Sequence, residues 1–108
     1  MIAVIFEVTP TAEGKAEYLK IAADLRTHLE KIDGVISIER FQSLTDDGKI
    51  LSLSFWRDED AISQWRNLQE HRFAQQQGKE KLFSSYRIRV ANVVRDYSNT
   101  QRDEVPEN

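Results

Sequence analysis

The segment SFWRDEDAISQW, residues 54–65, joins the end of a predicted strand directly to an amphipathic helix. Alternating apolar residues lead into it, which is typical of a strand, whereas apolar residues three and four apart follow it. Asp58 stands at the expected N-cap, and Glu59 and Asp60 add negative charge to the first turn, which the helix dipole favours. The segment therefore predicts a strand, a short connection and a helix over residues 58–77.

The same two periodicities extend outward and predict six elements. Strands are indicated by period-two alternation of β-branched residues, and helices by apolar stripes at helical spacing. Gly34 can take the left-handed conformation that ends a helix, and residues 45–48 have the composition of a hairpin turn. The predicted order is strand, helix, strand, strand, helix, strand, over residues 2–8, 12–32, 35–44, 49–56, 58–77 and 85–96.

This order predicts an α+β, ferredoxin-like split βαβ fold, with both helices on one face of a four-stranded antiparallel sheet. The other face would then carry apolar residues at the opposite parity, namely Ala3, Ile5, Ile50, Trp56, Ala91 and Val93. Packing against a second copy would cover them, so we expect a homodimer through the sheet face; a monomer with scattered exposed apolar residues is the alternative. We expect one domain over residues 1–97 and a polar, mobile tail over 98–108.

Composition excludes several classes of function. With 108 residues, a net charge of −3 and no cysteine, the chain lacks a basic face for nucleic acid and any thiolate chemistry. The two histidines lie on different predicted helices, so no metal site is expected. The first residues do not form a signal peptide, and no apolar run reaches the ~18–20 residues of a membrane span. We therefore expect a cytoplasmic protein without membrane or nucleic-acid partners.

The second predicted helix carries most of the candidate site residues. Trp65 and Leu68 share a face with Arg72, and Gln76 lies below them. A tryptophan on the buried face of a helix is usually a core residue, so we expect Trp65 in the core; the alternative is the wall of a pocket, which the change to polar residues along its face supports. His71 falls about 120° from Trp65 around the helix, which places it on a flank.

Glu7 is the one carboxylate inside the first predicted strand. If it were buried, its pKa would be raised and it could act as a general base. Alternatively it lies on the sheet face toward a partner copy or at a rim. Arg87, Arg89 and Arg95 share one face of the last strand, and one of them could pair with Glu7; ion pairs between subunits are the more ordinary explanation of these arginines.

Several short motifs together carry a family resemblance. They are ERF (39–41), LSFWRDE (53–59), WR (65–66), EHR (70–72), YRIRV (86–90) and VVRDY (93–97). In this combination the chain resembles the antibiotic biosynthesis monooxygenase (ABM) domain family over residues 1–97. The resemblance implies a ferredoxin-like fold that forms a dimeric α/β barrel. It also implies one of two activities: cofactor-independent oxidation of phenols or quinols by dioxygen, or haem degradation.

The haem-degrading branch can be compared residue by residue. Its pattern has an asparagine in the first strand, a tryptophan on the second helix and a haem-ligating histidine about ten residues later. Trp65 matches the tryptophan, but the asparagine position falls on Phe6 or Glu7 and the histidine position falls on Gln75 or Gln76. Without an imidazole ligand for the iron, haem binding is disfavoured.

The resulting hypothesis is a cofactor-independent monooxygenase that oxidises a small aromatic or quinol-like compound. The residues expected to bind the substrate are Trp65, Phe6, Leu68 and Gln76. The residues expected to assist proton removal are His71, Arg72 and Glu7. A haem-degrading enzyme and a non-catalytic ligand-binding module of the same fold are the alternatives. A pocket of several hundred Å³ beside Trp65 would favour an enzyme, and one filled by side chains would favour the module.

Overall fold

A computed structural model describes residues 1–75 and 82–107 of the chain, and for residues 70–75 it describes the backbone alone. The elements are β1 (Ile2–Pro10), α1 (Lys15–Leu29), β2 (Val35–Gln42), β3 (Ile50–Trp56), α2 (Glu59–Gln75) and β4 (Phe83–Asn92). Their order and type confirm the predicted ferredoxin-like α+β fold. The expected end of the second helix, at about residue 77, lies outside the described residues.

The predicted N-cap of α2 is confirmed, whereas the predicted stop of the first helix at Gly34 is wrong in position: α1 ends at Leu29, with Glu30 in the right-handed conformation as its C-cap. Asp58 caps α2, since its Oδ1 accepts a hydrogen bond of 3.0 Å from the backbone N–H of Ala61. That bond, together with the side chain of Arg57, lowers the pKa of the Asp58 carboxyl. Gly34 follows α1 with a φ of +103°, a conformation that side chains with a Cβ rarely adopt. Asp58 therefore determines where α2 begins, and Gly34 forms part of the turn between α1 and β2.

The four strands form one antiparallel sheet in the order β2-β3-β1-β4. Both helices cover one face of it, and the buried core lies between. Register aligns Arg40, Ser52 and Phe6 in one row across β2, β3 and β1. Because alternate residues of a strand share a face, this row points toward the helices with the rest of the core.

The faces of β3 are the reverse of those predicted. Ile50 and Trp56 were expected on the open face, but both are buried beneath the helices, and Trp56 is 0% exposed. The indole of Trp56 packs beside Trp65, and its Nε1 donates a hydrogen bond of 2.8 Å to Ser54 Oγ. The free energy gained by burying an aromatic ring whose N–H is hydrogen-bonded exceeds the cost of burying the serine beside it. The tryptophan therefore determines which face of β3 packs against the helices.

Two apolar surfaces remain after the helices have packed. On the open face of the sheet, Ile5 lies beside three half-buried residues of β3, namely Leu51, Leu53 and Phe55. On the helix face, the edge strand β4 leaves Tyr86, Ile88 and Val90 between 40% and 48% exposed. The single chain therefore exposes more apolar sheet surface than the sequence predicted.

Neither α1 nor α2, as far as the structure describes them, combines the length and apolar character needed to cross a membrane. The cytoplasmic location and the division of the chain at residue 97 stay predictions.

Candidate functional site

A small cavity of about 10 Å³ lies between the helix layer and the sheet. Its floor is the row formed by Arg40, Ser52 and Phe6, and its walls come from α1 and α2. The wall residues include Tyr18, Ala22, Leu25, Trp65 and Gln69. A space of this size holds about one water molecule, so side chains nearly fill the site.

The residue types at this position explain why a cavity with polar lining is left between the helices and the sheet. Ser52 is a short side chain at a position that faces the helices, so β3 contributes little volume there. Trp65 is 7% exposed and packs at a tilt against Trp56, with 6.3 Å between ring centroids. The two indoles fill the neighbouring core, and the cavity is left beside them.

Arg40 brings a positive charge into this cavity from β2. Its Nε is shielded from solvent and has no hydrogen-bond partner among the residues that the structure describes. Its Nη2 donates to the carbonyl oxygen of Ala22 at 3.4 Å, the long limit of a hydrogen bond. Within the described ranges, no carboxylate forms an ion pair with Arg40. Among the side chains that the structure describes, the site therefore contains a partly buried cation without a counter-charge.

Tyr18 stands against Arg40 on the α1 side. Its side chain is 1% exposed, and burial raises the pKa of its hydroxyl, although the hydrogen bond and charge of Arg40 oppose that shift. The phenol is therefore protonated at neutral pH. Its ring packs edge-on against Phe83, with centroids 5.3 Å apart. Tyr18 thus adds a neutral polar group, held rigidly, beside the guanidinium.

The structure brings together some of the predicted substrate-binding residues. Phe6 and Trp65 are both buried and line the same cavity, so Trp65 is a core residue and a cavity wall at once. Leu68 packs against the edge of the core. Gln76 lies outside the described residues. His71 and Arg72 lie in the last turns of α2, where the backbone alone is described.

Glu7 does not join this cavity, because it points to the opposite face of the sheet from its neighbour Phe6. Its carboxylate lies 3.3 Å from Lys49 Nζ and accepts a hydrogen bond of 3.1 Å from Arg89 Nη1. Lys49 above all, and Arg89 with it, lowers the pKa of Glu7, whereas a general base needs it raised. The predicted ion pair with the last strand is confirmed for Arg89.

Four polar residues of the cavity were missed from the sequence: Tyr18, Arg40, Ser52 and Gln69. Gln69 is 7% exposed, four residues after Trp65 on the same helix face. Arg40 has the parity of the buried Ile38, so alternation along β2 was the available signal. Because the two faces of β3 were predicted the wrong way round, Ser52 was not expected beside Arg40 on the helix-facing side of the sheet.

The donor atoms around the cavity do not fit a haem. No histidine is among the described lining residues, and the space is far smaller than a porphyrin. Residues 1–75 and 82–107 also contain no group of three or more histidine and carboxylate side chains suited to a metal ion. The described polar groups are instead one guanidinium and three neutral side chains, those of Tyr18, Ser52 and Gln69.

The family model for antibiotic biosynthesis monooxygenases matches residues 1–77 of the chain. The chain belongs to this family. The resemblance seen in the sequence motifs is thereby confirmed.

One ABM relative is the jasmonate monooxygenase ABM of Pyricularia oryzae. It is 45% identical over 94 residues, which cover 87% of this chain and 44% of the relative. A second relative, the uncharacterized protein YqjZ of Bacillus subtilis, is 41% identical over 49 residues, which cover 45% of this chain and 43% of the relative. The chain thus spans less than half the length of these curated relatives.

Solved structures of similar shape support the same ABM fold. Rv0793 of Mycobacterium tuberculosis has a TM-score of 0.76 at 17% identity, covering 90% of this chain and 98% of that one. A mutant of SnoaB, a cofactor-independent oxygenase from Streptomyces nogalater, has a TM-score of 0.70 at 13% identity, covering 88% and 94%. At these identities the similarity concerns the fold alone.

Proposed function

We propose that this ABM protein is a cofactor-independent monooxygenase, which binds a small ionisable organic compound between its helices and sheet. The observation that carries the proposal is the pairing of a buried aromatic wall with Arg40 and Tyr18 in one small cavity. Such a site is suited to holding an organic anion away from water. The names of the Pyricularia oryzae relative and of SnoaB agree with an oxygenase.

The proposed reaction balances without an added reductant. A carbon acid such as an anthrone-like phenol loses a proton, and its carbanion passes an electron to dioxygen before the two combine as a peroxide. Loss of water from that peroxide leaves a carbonyl group. One oxygen atom stays in the product and the other leaves as water, so the methylene carbon supplies all four electrons.

The chain's own residues have two roles in this scheme. Trp65 and Phe6 exclude water, which strengthens the interaction between Arg40 and a developing substrate anion. Stabilising that anion favours proton loss from the substrate. His71 and Arg72 are retained as the groups that assist proton removal, because Glu7 faces away from the cavity.

The experiment is oxygen uptake by the purified protein with a panel of anthrone-like phenols, hydroquinones and jasmonate. One mole of dioxygen should be consumed per mole of product, and labelled dioxygen should deliver one labelled atom to the product. Trp65→Ala should lower the rate at least tenfold, and Leu44→Ala, at a site 99% exposed, should not. An absence of protein-dependent uptake across the panel refutes the proposal.

A ligand-binding module is the second candidate, favoured by the small volume of the cavity. At about 10 Å³ it is far below the ~300–1,000 Å³ of typical small-molecule sites. Tight binding of a panel compound, with no oxygen uptake and no conversion after long incubation, would support the module instead of the enzyme.

We also propose a homodimer through the open sheet face. Leu51, Leu53 and Phe55 would be covered there, with the ion pairs of Glu7 at the side. Leu53→Asp places a charge inside that contact and should convert the dimer to a monomer in sedimentation experiments. Leu44→Asp on the exposed hairpin loop is the matched control. A wild-type protein that sediments as a monomer at micromolar concentration contradicts this proposal.

A further inference from the structure

We infer that the cavity binds the carboxylate group of an organic acid, with Arg40 as its cationic partner. The inference names the class of ligand for the site proposed above. It relies on the proposed function only for the statement that this ligand is also the substrate. The binding itself follows from the geometry around Arg40.

In the described part of the chain, the partly buried charge of Arg40 has no oppositely charged partner. Buried charges in proteins are normally paired, because moving a lone ion out of water is costly. Glu39, its chain neighbour, belongs to the opposite face of β2 by strand alternation. The groups around the guanidinium are Tyr18, Ala22, Ser52 and Gln69, and none of these carries a negative charge at neutral pH. A ligand anion would supply the missing charge.

The free atom of Arg40 is suited to a carboxylate in particular. A guanidinium presents Nε–H and an Nη–H side by side, and the two oxygens of one carboxylate accept both hydrogen bonds together. The Nε lacks a partner in the described part of the chain, and Nη2 makes only a 3.4 Å contact to Ala22, which a stronger acceptor can replace. Gln69 and Ser52 line the same cavity and can contact the rest of the ligand.

The competing explanation is a single buried water molecule on Nε. A cavity of about 10 Å³ accommodates one water, which could satisfy Nε without any ligand. The two explanations differ in charge: a water site has no preference between an acid and its neutral amide, whereas a carboxylate site does.

The test compares acids with amides of nearly the same shape, using acetate with acetamide and benzoate with benzamide. Binding is measured by calorimetry and by the fluorescence of Trp65, which lines the cavity. Each acid should bind roughly 10- to 100-fold more tightly than its amide, as expected for a charge-assisted hydrogen bond. Equal binding of the two members of each pair, or binding of neither, overturns the inference and leaves a water site.

Variants then assign the preference to Arg40. Arg40→Gln should weaken acid binding to the level of the amide and leave amide binding unchanged, and Arg40→Lys should retain part of the preference. Arg26→Gln is the control, since Arg26 is an exposed cation on α1 paired with Glu30. Thermal unfolding checks that each variant is folded. If Arg40→Gln does not fold, the acid preference measured for Arg40→Lys is used instead to test the assignment to Arg40. An acid preference that survives in folded Arg40→Gln or Arg40→Lys at full strength overturns the assignment.

Two further results separate this inference from the proposed function. Acid binding that depends on Arg40, without oxygen uptake for any compound, supports the inference and contradicts the oxygenase. Oxygen uptake with neutral phenols at rates unaffected by Arg40→Gln supports the oxygenase and contradicts the statement that the acid bound at Arg40 is its substrate. If the protein binds ionised 4-nitrophenol but no carboxylic acid, the ligand is a phenolate. That result overturns the inference that the ligand is a carboxylate.

Discussion

Replacing Arg40 by methionine should leave the ligand-free protein about equally stable or make it more stable, although the change removes a partly buried cation. The substitution eliminates the unpartnered Nε, and an unsatisfied buried donor costs about 1–3 kcal/mol. It also removes the hydrogen bond to Tyr18, worth about 0.5–1.5 kcal/mol. The 3.4 Å contact to Ala22 adds little. The net expectation runs from a loss of about 0.5 to a gain of about 2.5 kcal/mol, against a typical total of about 5–15 kcal/mol.

Urea unfolding followed by tryptophan fluorescence measures this difference, provided that the m-value is unchanged. The double variant with Tyr18→Phe should be at least as stable as Arg40→Met, because removing both polar partners leaves neither unsatisfied. Arg26→Met is the control and should lose only the ~0.3–0.5 kcal/mol of an exposed i,i+4 ion pair. Excess acetate should stabilise the wild type and not Arg40→Met. A loss of more than about 2 kcal/mol in Arg40→Met would show that Arg40 holds the fold together, contrary to this reasoning.

Three further predictions concern single residues. Trp65→Ala should lower the free energy of unfolding by about 3–5 kcal/mol, and Trp65→Phe by clearly less, in urea titrations. Tyr18→Phe should reduce alkaline destabilisation: the raised pKa keeps folded Tyr18 protonated, so wild-type stability falls as the pH rises above the ordinary tyrosine value of 10.0. Asp58→Asn should lower the melting temperature at neutral pH and not in acid. The pKa of Asp58 is lowered in the folded protein, so its carboxylate stabilises the fold at pH values above the ordinary pKa of 3.8. That stabilisation is lost as the pH falls through the pKa of the folded state.

The sequence was sufficient for the element order because each element has a local signal. Asp58 marks the start of α2 and Gly34 the turn after α1, and both act through backbone hydrogen bonding and conformation within a few residues. The same holds for α1, where apolar residues three and four apart in the sequence are buried: Tyr18, Ala22, Leu25 and Leu29. Short-range chemistry of this kind can be identified in a sequence without knowing the neighbours of an element.

The face of β3 could not be predicted in the same way, because strand register depends on pairing across the hairpin. The turn was expected over residues 45–48, but the β2–β3 ladder ends at the pair Gln42 and Ile50, so residues 43–49 form the loop. A change of one residue in register exchanges the two faces of a strand. Ser52 therefore looked solvent-facing, and the cavity it borders with Arg40 remained hidden.

The position of the cavity also determines which part of the fold must adapt to a ligand. Its floor belongs to three strands joined by backbone hydrogen bonds, so widening the site from below would break the ladder that holds Arg40, Ser52 and Phe6 in register. Its roof is made of side chains from α1 and α2, which pack on the sheet through apolar contacts. Those contacts are non-directional and can be exchanged for contacts with an apolar ligand. A ligand larger than one water must therefore displace the helix layer, while the cation that recognises its charge stays fixed on the sheet.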